Sequence, residues 1–275
     1  MTLLQALALG IVEGLTEFLP VSSTGHLTVA EKLLGLQVDE RSITAFTAVI
    51  QVGAILAVLV YFRVDIWRFA RAWLRGLRDP SVRGEADYRL AWYVIWGSLP
   101  IGVVGFLGRH VIEGPLRSLW VVAGALVGWS AVMVLAERRA TQKRGEVDTT
   151  LTDALVIGVT QCAALVPGVS RSGATISAGL LRGLDRLTAT RLSFFLSIPA
   201  LTAAGVFQLP SALGGGVGLA PTLVGTVVSF VVAYASIAWL LRFVVAHSIA
   251  LFVWYRVALG VALAVLLATG VLAAT

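Results

Sequence analysis

Six apolar runs read as full spans, approximately at 43–63, 88–109, 117–138, 187–208, 219–243 and 248–272. Each is near the 20 residues that a helix needs to cross roughly 30 Å of hydrocarbon, so each predicts a membrane span. Two further regions, 2–36 and 151–182, are apolar but interrupted by Pro, Gly, Ser and Thr. The interruptions are "LPVSSTG" (19–25) and "VPGVSRSG" (166–173). Each half of these regions is too short to cross, so the pattern predicts two re-entrant helical hairpins. Non-helical backbone at membrane depth is tolerated only where protein buries it or where it lines a cavity.

The two interrupted regions also match one another. A shift of 148 pairs Gly10 with Gly158, Glu13 with Gln161, Val21 with Val169, Ser22 with Ser170 and Gly25 with Gly173. The same shift pairs Phe46 with Phe194 and Ile50 with Ile198. The single membrane domain, 1–275, therefore divides into two repeats, 1–146 and 147–275, each a hairpin plus three spans. An odd number of spans turns the second repeat over, which is the inverted-topology pattern. Interrupted segments at corresponding positions then mark the site.

Composition agrees with the pattern. The chain is 58% hydrophobic and 13% charged, with mean hydropathy +0.90, which excludes a soluble domain and predicts an all-α polytopic membrane protein. Its net charge of +6 reads as a topology signal rather than a nucleic-acid surface. Seven Arg fall in the loop 63–89, four basic residues in 138–144 and three Arg in 182–191. The opposite side carries only Lys32, Arg41, Arg109 and Arg117. Basic loops stay cytoplasmic, so both termini are expected outside, and the hairpin tips should meet near mid-membrane. The first residues lack the basic segment and cleavage pattern of a removable signal. The single Cys162 excludes an internal disulfide and reads as a small packing residue.

The polar residues of the hairpins carry the candidate chemistry. Glu13 and Glu17 lie four apart, on one helical face. Carboxylates inside a membrane are costly and usually mark sites; a pair suits Mg²⁺ or Ca²⁺, or acid–base work. After Pro20, the run Ser22, Ser23, Thr24 and Gly25 should open a helix N-terminus able to hold an anion, with His26 beside it. In the second hairpin Arg171 stands between Ser170 and Ser172, near Gly168, Gly173 and Thr175. A planar, always charged guanidinium at such a tip suits phosphate. It also suits a salt bridge to Glu13 or Glu17, and an empty site would make that pair. Arg256, in the last run, fits a second clamp or a structural partner for a carboxylate equally well. Paired acids, hydroxyls, a histidine and an arginine together fit phosphoryl transfer.

The stretches "EGLTEFLPVSSTGH" (13–26) and "PGVSRSGAT" (167–175) strongly resemble the two signature motifs of the bacitracin-resistance type of undecaprenyl-diphosphate phosphatase. The similarity continues through "VIQVGAILAV" (49–58), "LSFFLSIPA" (192–200) and "YRVAL" (255–259), and so covers nearly the whole chain. The resemblance implies a bacterial plasma-membrane hydrolase that removes the terminal phosphate of undecaprenyl diphosphate. It recycles the lipid carrier of wall synthesis, confers bacitracin resistance and depends on a divalent cation. By position, Ser23 is expected to attack, with His26 and Glu17 handling the proton. Arg171 and the helix N-terminus would clamp phosphate oxygens. Substrate contacts fall to Ser22, Thr24, Gly25, Ser170, Ser172, Gly173 and Thr175. Glu13 and Glu17 are the metal candidates, Glu13 alternatively orienting Arg171. One departure stands at Thr47, where the family's pattern places a Glu after the Phe.

The expected partners are the polyprenyl diphosphate, membrane lipids and a second copy in a homodimer, with no nucleic acid. The site should open to the external side. The competing class is an inverted-repeat transporter or flippase of an anion or of the lipid carrier, which needs clamps but no nucleophile.

Overall fold

The structure, a computed structural model, describes residues 1–36, 41–113, 116, 118–213 and 217–274. Arg117, counted above among the sparse charges of the opposite side, lies outside the described residues. In chain order the helices are α1 (Leu3–Thr16), α2 (Ser23–Leu33), α3 (Arg41–Tyr61), α4 (Arg63–Arg78), α5 (Ala86–Leu107) and α6 (Arg109–Glu113). They continue as α7 (Leu119–Arg139), α8 (Leu151–Gln161), α9 (Arg171–Leu181), α10 (Arg186–Leu213), α11 (Leu219–Ala246) and α12 (Leu251–Ala268). No β-strand occurs among the described residues; one isolated bridge joins Arg144 to Leu184.

Five of these helices, α3, α5, α7, α11 and α12, are long and apolar enough to cross a membrane. The chain is thus an all-helical polytopic membrane protein. The expected run at 187–208 coincides with α10, a 28-residue helix that carries Arg186 and Arg191 in its first two turns and stands outside that set of five. The last span is shorter than its apolar run: α12 ends at Ala268 and the chain turns at Gly270, whose φ of +74° a helix cannot continue through. The largest difference is at 63–89, read above as a loop. It is mostly helix, α4 followed by a 3₁₀ turn at Pro80–Gly84, because its many Arg, Ala and Leu are strong helix formers and outweigh the single Gly76, with no Pro before Pro80.

The two interrupted regions start alike. Thr2 and Gln5 close a capping box at the start of α1, with Gln5 N–H donating to Thr2 Oγ1 at 3.2 Å and Thr2 N–H to Gln5 Oε1 at 2.8 Å. Thr150 and Asp153 do the same for α8. They also break alike. The residue ahead of each second helix, Ser22 before α2 and Ser170 before α9, has φ of +79° and +75°. A left-handed residue with a Cβ costs roughly 1–2 kcal/mol, so the surroundings must hold both. The first break opens two residues earlier than the sequence pattern placed it, α1 ending at Thr16, because the residue before Pro20 disfavours the helical region.

Each hairpin lies against a long helix from the other half of the chain, α1 on α11 and α8 on α5. Glycines permit the approach. A Cβ on Gly10 would stand 2.6 Å from the Gly225 carbonyl oxygen, and one on Gly158 would collide with the carbonyl of Gly97. The core between them is aromatic. Phe18, inside the first break, meets Phe194 of α10 edge-on at 5.3 Å, and Phe62 meets Phe195 at 5.0 Å. The first break is therefore wedged into the centre of the molecule.

Candidate active site

Glu13 and Glu17 end α1 one turn apart, and both are buried. Glu17 sits where the helix gives way to the break, its N–H still bonded to the Glu13 carbonyl at 3.0 Å. Its two carboxylate oxygens are used differently. Ser23 Oγ, on the first residue of α2, donates to Oε2 at 2.6 Å. Arg171 Nη2, on the first residue of α9, donates to Oε1 at 3.0 Å. One carboxylate thus receives a hydroxyl from one hairpin and a guanidinium from the other. The salt bridge anticipated from sequence is the one to Glu17.

The two breaks are tied together directly. Ser172 Oγ donates to the Leu19 carbonyl at 2.9 Å. Arg256, fully buried on α12, reaches both: Nη1 donates to Pro20 O at 3.1 Å, and Nη2 to Gly168 O and Val169 O at 3.0 Å each. Its Nε donates to Ser130 Oγ at 3.2 Å. Of the two roles open from sequence, clamp or carboxylate partner, the geometry gives neither. The guanidinium satisfies backbone carbonyls that the broken helices leave without intrahelical donors.

His26 faces elsewhere. Its Nδ1 lies 2.7 Å from the Ser22 carbonyl, which can only accept, so this nitrogen carries the proton. Nε2 then accepts from the Tyr255 hydroxyl at 2.6 Å, and the two rings stack at 5.4 Å. Neither Ser23 nor either Glu is bonded to the imidazole. Tyr255 escaped the sequence reading, although it stands next to the Arg256 that was noticed. Its pairing spans 229 residues and leaves no local pattern.

The remaining candidates divide. Ser170 Oγ accepts from Gly173 N–H at 3.2 Å and lies 3.2 Å from Ser172 Oγ, forming the N-cap of α9. Thr175 Oγ1 donates to Arg171 O at 2.8 Å and pairs with Ser193 Oγ of α10 at 2.6 Å, bracing the arginine's turn rather than facing Glu17. Ser22 makes no side-chain cap bond, Gly25 is packed against Val122, and Thr24 is exposed. Thr47 bonds back to Ile43 O and Thr44 O on its own helix.

Glu13 Oε1 and Arg171 Nη1 are buried with no protein partner, as is the whole amide of Gln161 at the end of α8. Buried polar atoms are nearly always paired, so these take a partner that the protein itself does not supply, water or ligand alike. Among the described residues no cluster of three or more His, Cys, Asp or Glu could by itself hold a metal. Two adjacent carboxylates with an unpaired oxygen do fit Mg²⁺, which commonly takes one or two carboxylates and completes its shell with phosphate oxygens and water.

The chain is also similar to known proteins over nearly its whole length. The family described as "Bacitracin resistance protein BacA" matches residues 6–262. Undecaprenyl-diphosphatase 3 of Frankia casuarinae is 59% identical over 278 residues, covering all of both chains. Undecaprenyl-diphosphatase 1 of Streptomyces coelicolor is 60% identical over 269 residues, 98% of this chain and 97% of its own. The enzyme of the same name from Frankia alni is 60% identical over 267 residues, 97% and 96% of the two chains.

Proposed function

The chain belongs to the BacA family, and from that premise we propose that its reaction runs where the two hairpins meet, on Glu17, Ser23 and Arg171. The protein is an integral membrane phosphohydrolase. It removes the terminal phosphate of undecaprenyl diphosphate and returns undecaprenyl phosphate for cell-wall synthesis.

In the proposed reaction Ser23 Oγ attacks the terminal phosphorus and gives its proton to Glu17, to which it is already bonded at 2.6 Å. The phosphorus–bridging-oxygen bond breaks and the lipid monophosphate leaves with the electron pair. Water then attacks the seryl phosphate, Glu17 returns its proton to the departing Ser23 Oγ, and inorganic phosphate leaves carrying the water's protons. Arg171 Nη1, a buried donor with no partner, clamps the transferring oxygens while Nη2 keeps Glu17 oriented. The open N–H groups at the start of α2 assist, with Ser170, Ser172 and Gly173 shaping the opposite wall. His26, whose Nε2 is bonded to the Tyr255 hydroxyl at 2.6 Å, accepts the proton that the released phosphate sheds, by way of that hydroxyl. Glu13 and Glu17 would hold a divalent cation, Mg²⁺ or Ca²⁺, which neutralises phosphate charge when bound.

The proposed topology has six spans and two re-entrant hairpins in inverted repeats, with termini and site opening outside. Support comes from the matched capping boxes, the matched left-handed serines and the reciprocal seating of each hairpin on the other repeat. The Ser23–Glu17 bond carries the reading, since a transporter has no use for an activated hydroxyl. The test is phosphate release from a polyprenyl diphosphate by purified protein, with Mg²⁺, Ca²⁺ or EDTA. Release is expected to need the cation and to fall about 10³-fold or more in Ser23→Ala. Unchanged release in that variant would move the attack to His26 or to water.

A further inference from the structure

α4 does not fit the membrane spans or the catalytic junction. It begins at Arg63, with only Phe62 between it and the end of α3, so it starts where a span leaves the hydrocarbon. It runs from there across the starts of α5 and α10. Gly76 lies beneath the Tyr88 ring, Trp73 meets Trp92 at 5.8 Å, and Phe69 meets Phe195 at 5.1 Å. That contact buries one face, Phe69, Ala72 and Gly76.

The other face is apolar and bare. Val64, Trp67, Leu74 and Leu77 are 68%, 66%, 56% and 49% exposed. Helical spacing puts Trp67, Ala70, Leu74 and Leu77 on one stripe, with Arg71 and Arg78 along its edge. The arginines are unequally matched. Arg68 pairs with Asp87 at 2.9 Å and Glu146 at 3.3 Å, and Arg75 reaches Glu85 at only 3.9 Å. Arg71 and Arg78 form no ion pair among the described residues.

We propose that α4 is an interfacial anchor that binds anionic phospholipid. The Trp67–Leu77 stripe enters the acyl boundary of the adjacent leaflet, and Arg71 and Arg78 hold headgroup phosphates at its edge. Three properties together require this occupant. A helix fixed at the end of a span cannot leave the interface, its bare face is apolar, and its unpaired charges are all positive. The 16 residues of α4 lay roughly 24 Å of this face along the surface. A protein partner would have to displace lipid from a stripe already at bilayer depth. The inference is independent of the catalytic assignment and of which side of the membrane α4 occupies.

The test places a fluorophore at position 67, as Trp67→Cys in a Cys162→Ser background, with a second labelled protein at Ser81→Cys. Both are reconstituted in phosphatidylcholine vesicles holding equal fractions of brominated phosphatidylcholine or brominated phosphatidylglycerol. Lipid should quench position 67 and spare position 81. The brominated phosphatidylglycerol should quench about twofold more, and that preference should vanish in Arg71→Gln with Arg78→Gln. Phosphate release by the double variant reports that it is folded. Aqueous iodide reaching 67 as freely as 81 would overturn the anchor and leave the stripe to a protein. Equal quenching by the two lipids, unaltered in the double variant, would overturn anion binding.

Discussion

Ser23 and Arg171 occupy the same place in two hairpins 148 residues apart. Each is the first residue of a second helix, each follows a left-handed serine, and each bonds one oxygen of Glu17. The backbones are alike, while the side chains supply a hydroxyl on one side and a fixed cation on the other. The same division appears one turn from each break, where Glu13 matches Gln161 and both are buried with unpaired atoms. Two like breaks thus present facing positions for side chains, and asymmetric chemistry needs only different residues on them.

The comparison breaks most completely at the residue both sides share. Glu17→Gln removes the base from Ser23 and the counter-charge from Arg171 together. Phosphate release should fall about 10³-fold or more, and the buried Arg171, left without its counter-charge, should lower the unfolding midpoint in detergent as well. Arg256→Met attacks the frame instead, stranding the carbonyls of Pro20, Gly168 and Val169. It should cost about 3 kcal/mol, seen as a lower unfolding midpoint in detergent for both hairpins at once. Arg171→Lys keeps the charge but cannot serve Glu17 and a phosphate with a rigid fork. A drop of about 10²-fold in kcat/KM is expected, with unfolding little changed. The smallest effect tests the backbone equivalence. Ser22→Gly relieves a left-handed serine that caps nothing, and should stabilise by about 1 kcal/mol. Ser170→Gly gains the same relief but loses the bond to Gly173 N–H, so its midpoint should barely move.

The hairpins were legible because Pro, Gly and Ser runs interrupt apolar segments locally, and the shift of 148 made the two breaks comparable. Pairing Arg171 with an acid of α1 followed from bringing the tips together. The choice of Glu17 over Glu13 did not, since both lie on one face and a single turn separates them. The His26–Tyr255 pair was hidden because tertiary packing alone joins residues so far apart. Arg256 was visible as a buried charge, but its partners are backbone carbonyls, which no sequence displays. Read by its charge, α4 passed for a loop, although its apolar residues recur at helical spacing.

The bond between Glu17 and Arg171 joins residues separated by 154 positions, which has a consequence for how the chain is made. At roughly 5–20 residues per second, the ribosome delivers the arginine about 8–30 s after the carboxylate. Through that interval the first hairpin carries two acids with no cation to neutralise them, and a bilayer disfavours such a segment. Its stable seating therefore waits on the second hairpin, and on α11, which supplies the glycine-lined bed for α1. A chain truncated before Arg171 should leave its N-terminal hairpin loosely held and open to membrane proteases. The Glu17–Arg171 pair thus also serves as the latch that completes assembly.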